Sequence, residues 1–128
     1  MKEYQAKKDQ RYMLPHNVYM QMIYIIRSYD DSKQVLIDMI DAAPDRDGGP
    51  KGSDVSDPTL AYVIRTEEIR RQVDAVDSAI SKVPVEYRRG VMANIITHTP
   101  YPSDADRTTY SRWKQRMIYW TAEALHLA

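Results

Sequence analysis

Ile69, Val73, Val76, Ile80 and Val83 recur at steps of four, three, four and three, a spacing that gathers all of them on one side of an α-helix. Glu67, Glu68, Arg70, Arg71, Asp74 and Asp77 fill the remaining faces, so this segment predicts a long helix packed on one side only. Ser56-Asp57-Pro58 gives it a capping side chain followed by a first-turn proline, and Pro84 ends it. Such a helix needs other elements to cover its apolar side, and the rest of the chain repeats the same period. After Leu14-Pro15, Val18, Met22, Ile25 and Tyr29 recur at steps of four, three and four, with Tyr19, Ile23 and Ile26 widening the face, which predicts a helix over His16–Tyr29. Val35, Leu36, Met39 and Ile40 form a further group, with Asp31-Ser32 placed either to cap a new helix or to sit at a kink in a continuing one. Tyr87, Val91 and Ile95, flanked by Met92 and Ile96, predict a short helix despite Gly90. Tyr110, Trp113, Met117, Trp120, Ala124 and Leu127 then make the clearest heptad-like stripe, at steps of three, four, three, four and three.

These stripes predict an all-α fold, a compact bundle of about five helices ending in a helix-turn-helix-like pair over residues 84–128. At 128 residues the chain has the size of one domain. Two segments lack a period. Residues 1–13 are polar and read as a mobile arm. Residues 44–58, PDRDGGPKGSDVSDP, concentrate glycine and proline and read as a long loop. Formal net charge is zero, which argues against both a broad polyanion-binding surface and a strongly acidic mimic of DNA. The balance is uneven along the chain: from Asp30 to Pro58 eight acids face three bases, whereas Arg107, Arg112, Lys114 and Arg116 have no acid among them.

Several chemistries are poorly supported. The absence of cysteine excludes a disulfide framework, a thiolate metal site and a cysteine nucleophile. His16, His98 and His126 form no pair at metal-ligand spacing. GGPKG has neither the preceding strand nor the Lys-Ser/Thr ending of a phosphate-binding loop. The aspartate pairs Asp30-Asp31 and Asp45/Asp47 lie at a helix end and in a polar loop, where nothing would shift their pKa toward catalysis. The expectation is a non-enzyme without catalytic residues, metal or cofactor. The start MKEYQAKKDQRYMLP lacks the apolar run of a signal peptide and no segment reads as a membrane span, so the expected location is the cytoplasm, with no membrane partner.

The aromatic stripe of the last helix reads as packing, which leaves the opposite face for function. That face carries Arg107, Thr108, Thr109, Ser111, Arg112, Lys114, Gln115 and Arg116, side chains suited to phosphates and, for Arg and Gln, to bidentate pairing with guanine or adenine edges. A short helix, a turn and a longer helix beginning with such residues is the layout of a helix-turn-helix, although the ten or so residues between the two helices exceed the usual turn.

The run VPVEYRRGVMANIITHTPYPSDADRTTYSRWKQRMIYWTAEALHL, after the start LPHNVYMQMIYIIRSYD, resembles small bacteriophage proteins of the RinA and ArpU type, late-gene transcription regulators from phages of Gram-positive bacteria. It is similar also to region four of bacterial sigma factors. The resemblance spans most of the chain and is strongest from Pro84 onward. It implies a last helix that reads promoter DNA through Arg107, Thr109, Ser111, Arg112, Gln115 and Arg116, with Tyr110, Trp113, Met117 and Trp120 as its packing side. It implies double-stranded DNA as partner, host RNA polymerase or another host protein beside it, a homodimer, and a bacterial host cell as location. Two other classes fit the same residues: a protein-binding module, such as a phage-encoded inhibitor of a host enzyme or defence complex, which the neutral charge favours, and a small packaging or assembly protein.

Overall fold

The computed structural model describes residue 5 and residues 9–41 and 57–128; most of the segment read as the 44–58 loop lies outside the described residues. These form a short 3-10 turn, Gln10–Tyr12, and five helices: α1 His16–Arg27, α2 Tyr29–Asp41, α3 Asp57–Ser81, α4 Val85–Thr97 and α5 Arg107–Ala124. The fold is an all-α bundle, as the periodicities predict.

α5 is its centre. It packs against α1, α3 and α4 and is touched by the 3-10 turn as well. Being covered from several directions, it buries Tyr110, Gln115, Met117, Ile118, Thr121 and Ala122, a wider arc than the heptad stripe. Trp113 and Trp120 are only half-buried, and Ala124 and Leu127 are exposed. The core gathers Leu14, Tyr19, Met22, Ile23 and Ile26 from the amino-terminal side, Val76 and Ala79 from α3, Val83 from the corner after it, and Val91 and Ile95 from α4. On α1 the most buried line therefore runs one residue later than the Val18–Met22–Ile25–Tyr29 line, through the residues that widen it.

The break between α1 and α2 falls at Ser28, three residues before Asp31. Its hydroxyl donates to the Tyr24 carbonyl at 2.9 Å alongside its own N–H at 3.0 Å, and Ser32 N–H bonds back to the Ser28 carbonyl at 2.7 Å. α2 follows α1 without a loop and packs along α3. Tyr62 Oη donates to the Met39 carbonyl at 2.9 Å and ties the two helices together.

α3 ends before Pro84 and α4 starts at once. Arg88 makes this tight corner possible by donating from Nε to the Val83 carbonyl at 2.7 Å and from Nη2 to the Ser81 carbonyl at 2.9 Å, satisfying acceptors that a helix end leaves open. Arg27 does the same for the last turn of α4, donating from Nε to the Ile95 carbonyl at 2.9 Å, where its charge also suits the negative helix end. α4 stops at His98, which is left-handed with φ 57°.

Gly90 sits where α4 meets the following chain. A Cβ there would lie 2.6 Å from Tyr110 Cε1 and 2.9 Å from Pro102 Cδ, so glycine lets both rings rest on the helix backbone. Tyr110 is then fixed on every side: stacked on Tyr101 at 5.2 Å, edge-on to Tyr87 at 5.3 Å, and donating its hydroxyl to Asp104 Oδ1 at 2.6 Å.

The arm departs from expectation. Asp9–Met13 is bound to the bundle rather than free: Tyr12 packs edge-on against Tyr119 at 5.4 Å and Trp120 at 6.2 Å. Gln5 closes the segment by exchanging two hydrogen bonds with the backbone of Leu14, at 2.8 and 2.9 Å. A tyrosine offers the half-buried tryptophans more apolar contact than solvent does, which outweighs the polar composition around it.

Candidate nucleic-acid interface

α5 begins at Arg107 after Asp106, whose side chain makes no capping hydrogen bond. The N–H groups of Thr109 and Tyr110 bond back to the Asp106 carbonyl, at 2.9 and 3.3 Å. The first turn therefore presents backbone donors and the positive end of the helix dipole outward. Arg107, Thr108 and Arg112 are exposed at this end, and no hydrogen bond or ion pair among the described residues engages either arginine. Thr109 and Ser111 are half-buried beside them.

Further along the helix the proposed contact residues separate. Gln115 is 4 % exposed and lies inside, its amide donating to the Asp9 carbonyl at 3.1 Å with Met13 Sδ at 3.7 Å. It holds the arm to α5 and does not belong to the outward face; this corrects its assignment as a base-reading side chain. The cause is the arm itself, which covers that part of the helix and buries a polar group that then requires a backbone partner.

Arg116 takes an intermediate position. Its guanidinium lies 5.0 Å from the Tyr12 ring centre and 5.2 Å from that of Trp113, and its Nε is buried without a hydrogen-bond partner. The two aromatic faces supply negative potential to the guanidinium, and the Asp9 carboxylate adds to it. Lys114 turns toward α4, donating to Asn94 Oδ1 at 2.9 Å.

Arg11 falls outside the candidate residues of the sequence reading, yet Tyr12 brings it here, its guanidinium 5.6 Å from the same ring that Arg116 faces. Arg11 chelates Asp9, with Nε to Oδ1 at 3.1 Å and Nη2 to Oδ2 at 2.9 Å. That hydrogen-bonded pairing holds the Asp9 carboxyl below its usual pKa and raises that of Arg11. The available signal was Tyr12, an aromatic residue in a polar segment just before Leu14-Pro15.

The assembled surface is thus Arg107, Thr108 and Arg112 on the first turns of α5, continued by Arg116 and Arg11 around Tyr12. Asp9 neutralises part of it, and Asp104 and Asp106 border its start. α4 packs against α5 across a connection of nine residues, 98–106, which is longer than the three- or four-residue turn of a helix-turn-helix. Among the described residues no group of His, Cys, Asp or Glu is arranged to hold a metal ion, and no helix is long and apolar enough to cross a membrane. No protein-family model matches the chain, and neither a curated protein nor a solved structure is similar to it.

Proposed function

We propose that this protein is a sequence-specific DNA-binding regulator of the phage type its sequence resembles, contacting double-stranded DNA with the amino-terminal end of α5. One observation carries the reading: Arg107, Thr108 and Arg112 stand exposed on that end, and among the described residues no hydrogen bond or ion pair engages either arginine. Arg107 and the first-turn N–H groups suit a phosphate, and Arg112, more than a turn further on, suits a guanine edge in the major groove. Arg116 and Arg11 add positive charge beside them, the former oriented by Tyr12 and Trp113. Asp104 and Asp106 favour approach from the side of Arg112 by repelling backbone phosphates elsewhere.

The test is a fluorescence-polarisation titration against pooled DNA fragments from the source genome, at low and at near-physiological salt. Saturable binding that keeps a sequence preference at the higher salt is expected, with affinity falling steeply as salt rises. Arg112→Ala should remove the preference while shifting stability by no more than about 0.5 kcal/mol, because the side chain is exposed. Gln115→Ala should do the reverse, costing about 1–3 kcal/mol of stability by unpairing buried groups. Absence of binding at both salts, or an Arg112→Ala variant that binds like the parent, overturns the reading.

A further inference from the structure

Thr108, Arg112 and Arg116 follow one another on α5 at steps of four, which sets them in one row along the helix. The row runs into the arm. Arg116 lies against the Tyr12 and Trp113 rings, makes no hydrogen bond or ion pair among the described residues, and has its Nε buried without a partner. Arg11 faces the same Tyr12 ring from the arm, with 76 % of its side chain exposed.

Both positive charges act on one anion, the Asp9 carboxylate. Arg11 chelates it through Nε at 3.1 Å and Nη2 at 2.9 Å, and these hydrogen bonds, with a weaker contribution from the charge of Arg116, hold its pKa below the usual value. A carboxylate gripped by one guanidinium near a second is bound as a phosphate would be, since the same fork of donors fits either group. The anchorage of Asp9 lies in its backbone: Gln115 donates to the Asp9 carbonyl at 3.1 Å, and Tyr12 N–H bonds to the same oxygen. Its side chain has one further contact, the Arg11 N–H at 3.1 Å. The carboxylate is therefore able to turn away while the arm stays on α5.

We propose that Arg11 and Arg116 form a phosphate site beside Tyr12, which the Asp9 carboxylate fills in the unbound protein and yields to a phosphate group of duplex DNA. The site lies one turn beyond Arg112 and about 14 Å along α5 from Arg107, so a duplex docked on the first turns passes over it. Asp9 acts there as a brake. Non-specific binding is carried by phosphates, so a carboxylate that has to be displaced weakens it, while the base contact of Arg112 is untouched. The proposal rests on the DNA reading for the source of the phosphate; a free polyphosphate offers the same group.

Asp9→Asn in the full chain tests it, because the substitution removes the charge but keeps the backbone bonds and an oxygen for the Arg11 N–H. A random-sequence duplex, titrated by fluorescence polarisation over a salt series, should bind the variant more tightly than the parent. The slope of log affinity against log salt should steepen by about 0.9, the increment for one more phosphate contact. Adding Arg11→Gln should remove that gain. A variant with the parent's affinity and slope, or a gain that persists in full with Arg11→Gln, overturns the proposal and leaves the DNA reading to the sequence preference of the parent. Thermal unfolding with sodium tripolyphosphate separates the two sources. A rise in melting temperature larger for Asp9→Asn than for the parent, with no duplex binding by either, supports the site and overturns DNA as its source. No response to either probe overturns both.

Discussion

Between Leu60 and Ala79, α3 passes through two environments with similar side chains. Val73, Val76 and Ala79 are at most 6 % exposed, while Leu60, Val63 and Ile64 are more than half exposed. Apolar content does not separate the two halves. Coverage does: the later half contributes Val76 and Ala79 to the core, whereas no residue of α3 before Val73 belongs to it among the described residues. A helix about 37 Å long outreaches the bundle that α1, α4 and α5 build around one end of it. A two-helix layer buries one side of each helix and leaves the other to solvent or to a partner.

The widest contrast should come from equal truncations at the two ends. Met117 has no exposed surface and Ile37 of α2 is 51 % exposed. Met117→Ala should lower unfolding free energy by about 2–5 kcal/mol, through lost burial and the cavity left behind. Ile37→Ala should change it by no more than about 0.5 kcal/mol. Urea titrations of both variants measure the difference. Equal losses would mean that the α2–α3 layer is covered in solution and would break the comparison.

A smaller effect is expected at Gly90. In an open helix, replacing glycine by alanine stabilises by up to about 1 kcal/mol. Here the new methyl meets the Tyr110 and Pro102 rings at 2.6 and 2.9 Å, and Tyr110 has no room to yield between Tyr87, Tyr101 and Asp104. Gly90→Ala should therefore destabilise by about 1–3 kcal/mol, the range for overpacked sites. A gain in stability on thermal unfolding would show that the corner is looser than the geometry states.

These two regions also differ in how far the sequence discloses them. The helices were legible, because a 3.6-residue period survives any packing arrangement: α1 begins where predicted and ends two residues early, and α3 ends before Pro84. What periodicity cannot convey is how many neighbours a helix has. α5 reads as a one-sided stripe, yet several elements surround it, so Ile118 and Thr121 are buried while Leu127 is not. The attachment of Asp9–Met13 is hidden for a related reason: it depends on Tyr12 meeting Tyr119 and Trp120, more than a hundred positions away. Of the candidate site, Arg107, Thr108 and Arg112 are exposed. Gln115 departs from the sequence reading because what buries it, the Asp9 carbonyl and Met13 Sδ among its partners, is tertiary contact.

The gentlest probe of the contrast is alkaline pH, since each region holds a tyrosine bonded to a carboxylate. At the core end, the hydrogen bond to Asp104, joined by burial, pushes the Tyr110 pKa from 10.0 to about 12. Near the base of the α2–α3 layer, burial first and then the hydrogen bond to Asp77 raise Tyr29, while Lys33 at 3.1 Å pulls it down. Both folded-state values lie above the unfolded one. Each phenol therefore contributes stability that is complete below pH 10.0, and the Tyr110 contribution is lost as pH climbs through about 12. Phenolate absorbance followed against pH should show one tyrosine ionising late, and Tyr110→Phe should abolish that late step and flatten the alkaline fall in stability. Tyr29→Phe should leave the late step in place, because Lys33 moderates the shift at that position. A late step that survives Tyr110→Phe would assign the tighter carboxylate contact to α2 and α3, and would place the more rigid of the two regions on the exposed side of the molecule.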